Sequence, residues 1–168
     1  MQKHAKETSF ESWHHEYADG LFRFCFSKTS SRDVALDLTQ ETFMRVWDTL
    51  HSGKHIENPR ALIYTIARNL IIDHYRKKKP DSLDVLHDAG IEFGEKAQAE
   101  NSTAYNDALR VINTLPEVYR EAVYLRYVEE LKPREIAEIT GETVNVISVR
   151  ITRGMQELRA RIEGKTKT

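Results

Sequence analysis

The sequence contains one cysteine, Cys25, among 168 residues, so the chain cannot form an internal disulfide. A lone thiol is typical of proteins of the reducing cytoplasm, and we interpret Cys25 as a small apolar side chain of the core. No stretch approaches the roughly 18 consecutive apolar residues that cross a membrane. The opening residues, MQKHAKETSFESW, lack the apolar segment and cleavage site of a secretory signal. These absences predict a cytoplasmic protein that does not insert directly into a membrane.

Motifs of catalytic and cofactor sites are also missing. The chain has no glycine-rich phosphate loop, no G-x-S-x-G turn and no paired cysteines. Among the seven histidines, His51 and His55 lie four positions apart, and His14 and His15 are adjacent. Neither pair has cysteine or carboxylate neighbours at the spacing of metal ligands. We therefore expect no catalytic residue, no metal and no cofactor. A helical metal-dependent hydrolase that uses the histidines is an alternative that metal analysis would decide.

The formal net charge of −1 combines segments of opposite sign. Residues 60–79 contain six Lys or Arg and one acidic residue, and residues 143–168 contain six and two. Between these segments, residues 80–108 contain seven acidic residues and one lysine. Clusters of cations supply the sequence-independent part of nucleic-acid affinity. Charged runs are often ordinary solvated faces, but two cationic clusters in one chain favour two separate contacts with nucleic acid.

Apolar residues recur every three or four positions over most of the chain, which predicts amphipathic helices. The first helix carries Phe10, Trp13, Tyr17, Leu21 and Phe24 on one side. A second helix is predicted over Ser31–Leu50 and a third over Pro59–Lys79, with Asn58 as the cap of the third. Their buried sides are predicted to contain Ala35, Leu38, Thr42, Phe43, Val46, Trp47 and Leu50, and Leu62, Ile63, Ile66, Ala67 and Leu70.

The periodicity fades over the acidic residues 80–102, which we interpret as a flexible linker. Further helices are predicted near Thr103–Asn113 and over Glu117–Glu129, with a turn at Leu115 and Pro116 between them. The predicted fold is all-α, with two small helical domains, residues 1–79 and 103–168, joined by the acidic linker.

The segment Leu131–Leu158, LKPREIAEITGETVNVISVRITRGMQEL, is predicted to form two helices joined by a sharp turn. Pro133 suits the first turn of a helix, and Gly141 suits the left-handed position after its end. One side of the second helix carries Val144, Ile147, Ile151, Met155 and Leu158. The opposite side carries Asn145, Ser148, Val149, Thr152, Arg153 and Gln156. A helix-turn-helix places its second helix in the major groove of DNA, although such pairs also occur as plain structural units.

Two further helix faces are candidate binding surfaces. One side of the second helix carries Asp37, Gln40, Glu41 and Met44. An exposed methionine beside polar groups indicates a protein-docking patch, unless the face is merely solvated. Opposite its buried stripe, the third helix carries Tyr64, Arg68, Ile71 and Tyr75, and then Arg76, Lys77, Lys78 and Lys79. Aromatic rings and guanidinium planes stack on unpaired bases while cations follow the phosphates. The face therefore favours single-stranded DNA, unless the tyrosines complete the core.

Together these segments resemble the RNA polymerase sigma factors of the sigma-70 family, in particular the extracytoplasmic-function (group IV) type. Residues Asp37–Trp47, DLTQETFMRVW, are similar to the D-L-x-Q-E-x-F-x-x-x-W motif of region two. Residues Asn58–Lys79, NPRALIYTIARNLIIDHYRKKK, resemble the helix that melts and reads the minus-ten promoter element. Leu115, Pro116 and Leu131–Leu158 resemble region four, which reads the minus-thirty-five element. The resemblance covers nearly the whole chain.

The resemblance implies a non-enzymatic subunit that binds core RNA polymerase, directs it to promoters and helps to open the DNA. The β′ clamp helices of the polymerase would contact Asp37, Gln40, Glu41 and Met44. The minus-ten single strand would contact Tyr64, Arg68, Asn69, Tyr75, Arg76, Lys77 and Lys78, and the loop His51–Asn58 with Asn69 would capture a flipped base. The minus-thirty-five DNA would contact Ser148, Val149, Arg150, Thr152 and Arg153. The implied partners are core polymerase (β′ clamp helices and β flap), promoter DNA and an anti-sigma factor.

The sequence departs from the family pattern at a few positions. Leu62 stands where the family usually has Trp, and Ser148 and Val149 replace a Lys and a Ser of the recognition helix. The second change removes one phosphate-binding cation and one polar group. A plain repressor or activator, with the first domain used for dimerisation, is a competing interpretation. It leaves Asp37–Trp47 without a function, and a stable dimer of the free protein would favour it.

Overall fold

A computed structural model describes residues 1–79 and 103–166, and every regular element in these ranges is an α-helix. The first module consists of α1 (Gln2–Thr29), α2 (Arg32–His51) and α3 (Pro59–Lys78). The second module consists of α4 (Thr103–Asn113), α5 (Glu117–Tyr127), α6 (Pro133–Thr140) and α7 (Val144–Thr166). The all-α class is confirmed for these ranges. The predicted linker, residues 80–102, lies outside the described residues.

Side-chain caps define where α2 and α3 begin. The Ser31 hydroxyl accepts a hydrogen bond from the Val34 N–H at 3.4 Å, and the Asn58 side chain accepts one from the Ala61 N–H at 3.0 Å. Pro59 occupies the first turn of α3, where its missing N–H costs nothing. Each cap satisfies an N–H group that the helix itself leaves unpaired. The prediction of Asn58 as a cap is confirmed.

The first module is a bundle of three helices around a common core. Its most deeply buried apolar residues include Leu21, Phe24, Ala35, Val46, Ile63 and Ala67. The predicted burial of Trp47 and Leu50 in α2 and of Leu62 and Ile66 in α3 is wrong, because these four side chains are only half-buried. Trp47 instead contacts Phe10 edge to face, with 5.0 Å between the ring centroids. The two half-buried rings leave apolar surface open between α1 and α2.

The second module packs α4 to α7 around its own core. The buried residues include Leu109, Ile112, Leu115, Leu125, Leu131, Ile136 and Ile147. Helix α5 ends at Tyr127, two residues before the predicted end at Glu129. The backbone then turns through the left-handed region at Glu130, with φ 56°, which ends the helical path.

The helix-turn-helix has the predicted turn. Gly141 adopts φ 73°, and its N–H donates to the Ala137 carbonyl at 3.0 Å. The predicted stripe of α7 is buried at Ile147, Ile151 and Leu158 and half-buried at Met155. Its first member, Val144, is 45 % exposed, because the stripe begins to pack one turn later. Gly154 allows α7 to approach α5, since a Cβ there would lie 2.6 Å from Val123 Cγ2.

The two modules pack directly against each other. Helix α3 contacts α6 as well as α1 and α2. Tyr64 and Ile71, which were expected to face away from the core, are 2 % and 1 % exposed. The expectation of an open face at these two residues is therefore wrong for this arrangement. One side of α3 packs in the first module, and the second module covers part of the other side.

Candidate polymerase and nucleic-acid interfaces

One face of α2 presents the predicted polymerase-binding residues. Asp37, Gln40 and Met44 are exposed, and Met44 retains 62 % of its accessible surface. The Glu41 carboxylate accepts a hydrogen bond from Arg45 Nε at 2.9 Å, one turn further along the helix. The four residues therefore form one continuous surface, the α2 patch, in which Glu41 is partly engaged by its neighbour.

An apolar groove of about 650 Å³ lies beside the α2 patch, between α1 and α2. Its lining includes Phe10, His14, Gln40, Phe43, Met44 and Trp47. The His14 and Phe43 rings are 4.6 Å apart, so the imidazole forms part of an aromatic wall. Sequence reasoning assigned Phe10 to the core and gave His14 no role. How far these rings are covered depends on the packing of α1 on α2, which the periodicity of either helix does not show.

The C-terminal end of α3 is a cationic surface. Arg76, Lys77 and Lys78 are exposed, while Tyr75 is half-buried and donates its hydroxyl proton to the Lys28 carbonyl. Arg76 also lies 3.5 Å from an oxygen of Asp73. The three predicted cations therefore lie together, and the Tyr75 side chain is hydrogen-bonded to α1. Basic side chains free in solvent can follow a phosphate backbone.

A second groove, of about 560 Å³, lies between the loop that precedes α3 and the first turns of that helix. Its lining includes Lys54, His55, Ile56, Leu62 and Ile66 from the first module and Glu138 from α6. The predicted base-capturing loop therefore does border a cavity. Asn69, which was predicted to act with this loop, is exposed but is not among the lining residues.

The outer face of α7 gathers most of the predicted minus-thirty-five residues. Ser148, Val149, Thr152, Arg153 and Gln156 line one shallow surface. Arg153 and Thr152 are exposed, and the Thr152 hydroxyl donates back to the Ser148 carbonyl at 2.9 Å. Arg150 is not among the residues of this surface. Its guanidinium pairs with Glu142 at 3.0 Å.

Charged side chains join the two modules at Arg68. Its guanidinium donates from Nε to Glu121 Oε1 at 2.8 Å and from Nη2 to Oε2 at 3.2 Å. Lys28 Nζ lies 3.5 Å from the same carboxylate, and its side chain is 2 % exposed. Two cations of the first module therefore share one carboxylate of α5.

The pKa values of this cluster are shifted by burial and by the charges of its members. Burial raises the pKa of Glu121, but the charge of Lys28 and the hydrogen bond and charge of Arg68 outweigh it, so the pKa lies below its usual value. Burial also lowers the pKa of Lys28 despite the nearby carboxylate. At Arg68 the desolvation is outweighed by the hydrogen bond and charge of Glu121, and the pKa of the guanidinium is raised. The Arg68–Glu121 pair is thus fully ionised at neutral pH.

A second cluster joins the modules at Glu129. This buried carboxylate accepts hydrogen bonds from Tyr64 at 2.5 Å and Tyr124 at 2.8 Å, and the Arg60 guanidinium donates to its backbone carbonyl. Burial raises the pKa of Glu129, and the two tyrosine hydrogen bonds do not fully offset this effect. At the rim, Asn58 donates to Glu135 at 3.0 Å.

Sequence reasoning missed the carboxylates of this interface. Glu121 and Glu129 lie in or just after an ordinary amphipathic helix, and their partners are 53 and 65 positions away. A helical periodicity describes neighbours three or four positions apart and holds no information on such contacts. The long-range pairing therefore left no local pattern by which Tyr64 and Arg68 could be recognised as interface residues.

Within residues 1–79 and 103–166, no three His, Cys, Asp or Glu side chains are grouped so as to hold a metal ion. No helix in the same ranges is long and apolar enough to cross a membrane.

Each of the two modules matches a known protein family. The sigma-70 region 2 family model matches residues 13–80, and the sigma-70 region 4 model matches residues 105–158. The RNA polymerase sigma factor SigV of Bacillus subtilis is 31 % identical over 147 residues, which cover 88 % of this chain and 87 % of SigV. The ECF RNA polymerase sigma factor SigM of the same organism is 34 % identical over 153 residues, covering 86 % and 89 %.

A solved structure is similar as well. The sigma factor RpoE of Bartonella quintana, solved in complex with the anti-sigma factor NepR, matches with a TM-score of 0.67 at 25 % identity. The match covers 92 % of this chain and 97 % of the RpoE chain.

Two helical modules, the second of them a helix-turn-helix with an exposed outer face on α7, are an arrangement found in DNA-binding proteins. With the matches above, the chain belongs to the extracytoplasmic-function sigma factors of the sigma-70 family, which bind core RNA polymerase and direct promoter-specific initiation of transcription. Proteins of this family are regulatory DNA-recognition subunits rather than classical enzymes.

Proposed function

We propose that the first module, residues 1–79, binds core polymerase and the minus-ten single strand, and that the second module, residues 103–168, binds the minus-thirty-five element. The observation that best supports the polymerase contact is the position of the α2 patch beside an open apolar groove. Apolar surface rimmed by polar groups is typical of protein docking sites. A groove between helices suits the side chains of a partner helix, and the β′ clamp helices are the proposed partner.

Substitution at Met44 tests this contact. Met44→Asp places a charge on the rim of the apolar groove, where a docked partner would desolvate it. We expect the variant to lose co-purification with core polymerase. Met44→Leu keeps an apolar side chain of similar volume at the same position and should retain it. If both variants keep their helical circular dichroism and co-purify equally with core polymerase, the α2 patch is not the polymerase contact.

For the DNA contacts, the exposed cations at the end of α3 supply affinity for phosphate, and the outer face of α7 supplies groups that reach base edges. The groove next to residues 51–58 is the proposed site for an unpaired base. Each stacked or trapped base contributes roughly 1–3 kcal/mol, which favours strand separation without any catalytic step.

We further propose that the subunit is not itself an enzyme and acts in the cytoplasm, where the polymerase works. A purely binding subunit changes where polymerase starts but not how it adds nucleotides. The elongation rate of core polymerase on a primed template should therefore be the same with and without this protein. A change in that rate would contradict the proposal.

An anti-sigma protein is the remaining proposed partner. The similar chain RpoE was solved with the anti-sigma factor NepR. In this chain the apolar groove and the α2 patch are the exposed surface through which a protein inhibitor would block polymerase. Such an inhibitor should compete with core polymerase for binding and lose affinity for Met44→Asp. If an inhibitor binds this protein at the same time as polymerase does, the inhibitor contacts a surface other than the groove and the α2 patch.

A further inference from the structure

An apolar side chain, Val149, lies on the otherwise polar outer face of α7. The other residues that line this shallow surface are Ser148, Thr152, Arg153 and Gln156. Thr152 and Arg153 follow Val149 by three and four positions, and residues so spaced on a helix have Cβ atoms about 5–6 Å apart. The Val149 side chain is therefore bordered by polar groups, and it keeps 39 % of its accessible surface.

The core of the second module does not need an apolar residue at this position. Ile147 and Ile151, two positions to either side, are buried in that core. An α-helix turns about 100° per residue, so the Val149 side chain points about 160° away from both. A single exposed apolar residue is common on protein surfaces. The place of Val149 among the proposed DNA-reading groups, and not its exposure, is therefore the informative observation.

The position of Val149 along α7 suits contact with bases. Helix α7 begins at Val144, so Val149 lies in its second turn. In helix-turn-helix proteins, the N-terminal part of the second helix contacts base edges in the major groove. Among the four standard bases, thymine presents an apolar group there, its 5-methyl group. A valine side chain has no hydrogen-bonding atom, so the thymine methyl is the base feature that it can recognise.

We propose that Val149 reads one thymine of the minus-thirty-five element by packing against its 5-methyl group. Successive base pairs are 3.4 Å apart, so this thymine lies one or two base pairs from the group that Arg153 contacts. A serine, which the family pattern has at this position, can hydrogen-bond to several bases. The valine therefore narrows the preference to thymine. This inference rests on the proposed function, because it assumes that the outer face of α7 enters the major groove.

Replacing thymine by deoxyuridine tests the contact without any change to the protein. Deoxyuridine lacks the 5-methyl group and keeps the hydrogen-bonding edge of thymine. The probe is the duplex promoter fragment that this protein with core polymerase binds most tightly in a promoter library. Each thymine of its minus-thirty-five element, on either strand, is replaced in turn, and the Kd of the complete polymerase is measured by gel-shift titration.

We expect replacement at one position to weaken binding about four-fold, equivalent to about 0.8 kcal/mol, since one methyl group is no longer buried. Replacement of thymines upstream of the element is the control on the DNA side and should leave the Kd unchanged. Equal affinity for thymine and deoxyuridine at every position of the element would overturn the inference.

Variants of Val149 assign the effect to its side chain. Val149→Thr keeps a methyl group that can pack on thymine, so it should keep the preference for thymine over deoxyuridine. Val149→Ser removes both methyl groups and should bind the two probes equally. Val111→Ser is the matched control, because Val111 is a valine of similar exposure, 41 %, on α4. It should keep the preference.

The comparison of the two probes separates a base contact from a structural role. A variant that merely disturbs α7 would weaken binding to both probes equally and leave their ratio unchanged. If the preference survives unchanged in Val149→Ser, another side chain contacts the methyl group and the inference is wrong.

These outcomes are distinct from a failure of the proposed function. If the complete polymerase binds the promoter specifically but does not distinguish thymine from deoxyuridine, only the thymine contact is wrong. If this protein directs core polymerase to no fragment of the library, the proposed function is wrong and the thymine contact is wrong with it.

Discussion

The guanidinium of Arg68 and the carboxylate of Glu121 form two parallel hydrogen bonds, of 2.8 and 3.2 Å, across the contact between the two modules. The residues are 53 positions apart in the chain. Arg68 comes from the helix with which the first module is proposed to bind the minus-ten strand, and Glu121 comes from the module proposed to read the minus-thirty-five element. The pair therefore links the two modules that are proposed to bind DNA.

Removing Lys28 should strengthen the contact between the modules. Lys28 and Arg68 share the half-buried Glu121 carboxylate, so the cluster carries an excess positive charge beside the buried Lys28 ammonium. Lys28→Met keeps the length of the side chain and leaves a neutral Arg68–Glu121 pair. Replacing a buried ion by an apolar group is often neutral or stabilising. We expect the free energy of unfolding to rise by about 1 kcal/mol, or the Tm by about 3 °C, measured by thermal denaturation.

The control for this variant is Lys3→Met, which removes an exposed lysine of the same helix. It should leave the Tm within about one degree, since exposed charges contribute little. A loss of more than about 2 kcal/mol in Lys28→Met would show that Lys28 is needed to hold Glu121.

Two carboxylates of the interface should respond to pH in opposite directions. The pKa of Glu121 is lowered in the folded chain, so its contribution to stability is present above pH 4.5 and is lost as the pH falls through the lowered pKa. The pKa of Glu129 is raised, so its contribution is present below pH 4.5 and is lost as the pH rises through the raised pKa.

The two contributions can be separated by comparing variants over a pH series. The difference in Tm between the natural chain and Glu121→Gln should be largest near neutral pH and vanish in acid. The difference in Tm between the natural chain and Glu129→Gln should change in the opposite way. The Tm of the natural chain should rise relative to that of Glu129→Gln as the pH is lowered towards 4.5. Parallel curves for the two variants would show that one of the assigned directions is wrong.

Cys25 should be unreactive in the folded chain. Burial raises the pKa of the Cys25 thiol to about 12, and the side chain is fully buried. Since the thiolate is the reactive form, only about one thiol in ten thousand is activated at pH 8. We expect mass spectrometry to find no alkylation by iodoacetamide in the native protein and full alkylation in urea. Rapid labelling of the native protein would indicate that α1 and α2 separate in solution.

Arg153 should contribute to promoter selection but not to polymerase binding. It is exposed on the outer face of α7, on the same surface as Thr152 and Gln156. Loss of an arginine that contacts a base costs about 1–3 kcal/mol and relaxes the preference at that position. We expect Arg153→Ala with core polymerase to bind promoter fragments about ten-fold more weakly in gel-shift titrations.

Arg159→Ala is the matched control for Arg153, because Arg159 is an exposed arginine two turns further along α7. It should reduce affinity equally for promoter and unrelated DNA, if at all. If Arg153→Ala also weakens both kinds of DNA equally, Arg153 contacts phosphate and not a base.

Local features of the sequence were sufficient to predict the helices and the helix-turn-helix. Gly141 marks the turn because its left-handed backbone is unfavourable for other residues, and Asn58 marks the start of α3 because its side chain caps the helix. The spacing along the second helix grouped the residues of the α2 patch on one face, and the resemblance to sigma factors implied their partner.

The docking of the modules could not be predicted in the same way. Tyr64 and Ile71 lie opposite the predicted apolar stripe of α3, yet both are buried. The Tyr64 ring packs on Phe24 of α1, and its hydroxyl donates to Glu129 of the second module, which is 65 positions away in the chain. Phe10 and Trp47 were predicted to lie in the core but are half-buried. Helical periodicity identifies the apolar face of a helix, but it does not show how fully a neighbouring helix covers that face.

Promoter-specific initiation by this protein can be measured directly as run-off transcription by purified core RNA polymerase on a library of duplex promoters. With this protein added, we expect transcripts to start at discrete sites on a subset of templates, and Met44→Asp to abolish them while Met44→Leu retains them. If no template yields a transcript that depends on the protein, or if Met44→Asp is as active as the natural chain, the account is contradicted.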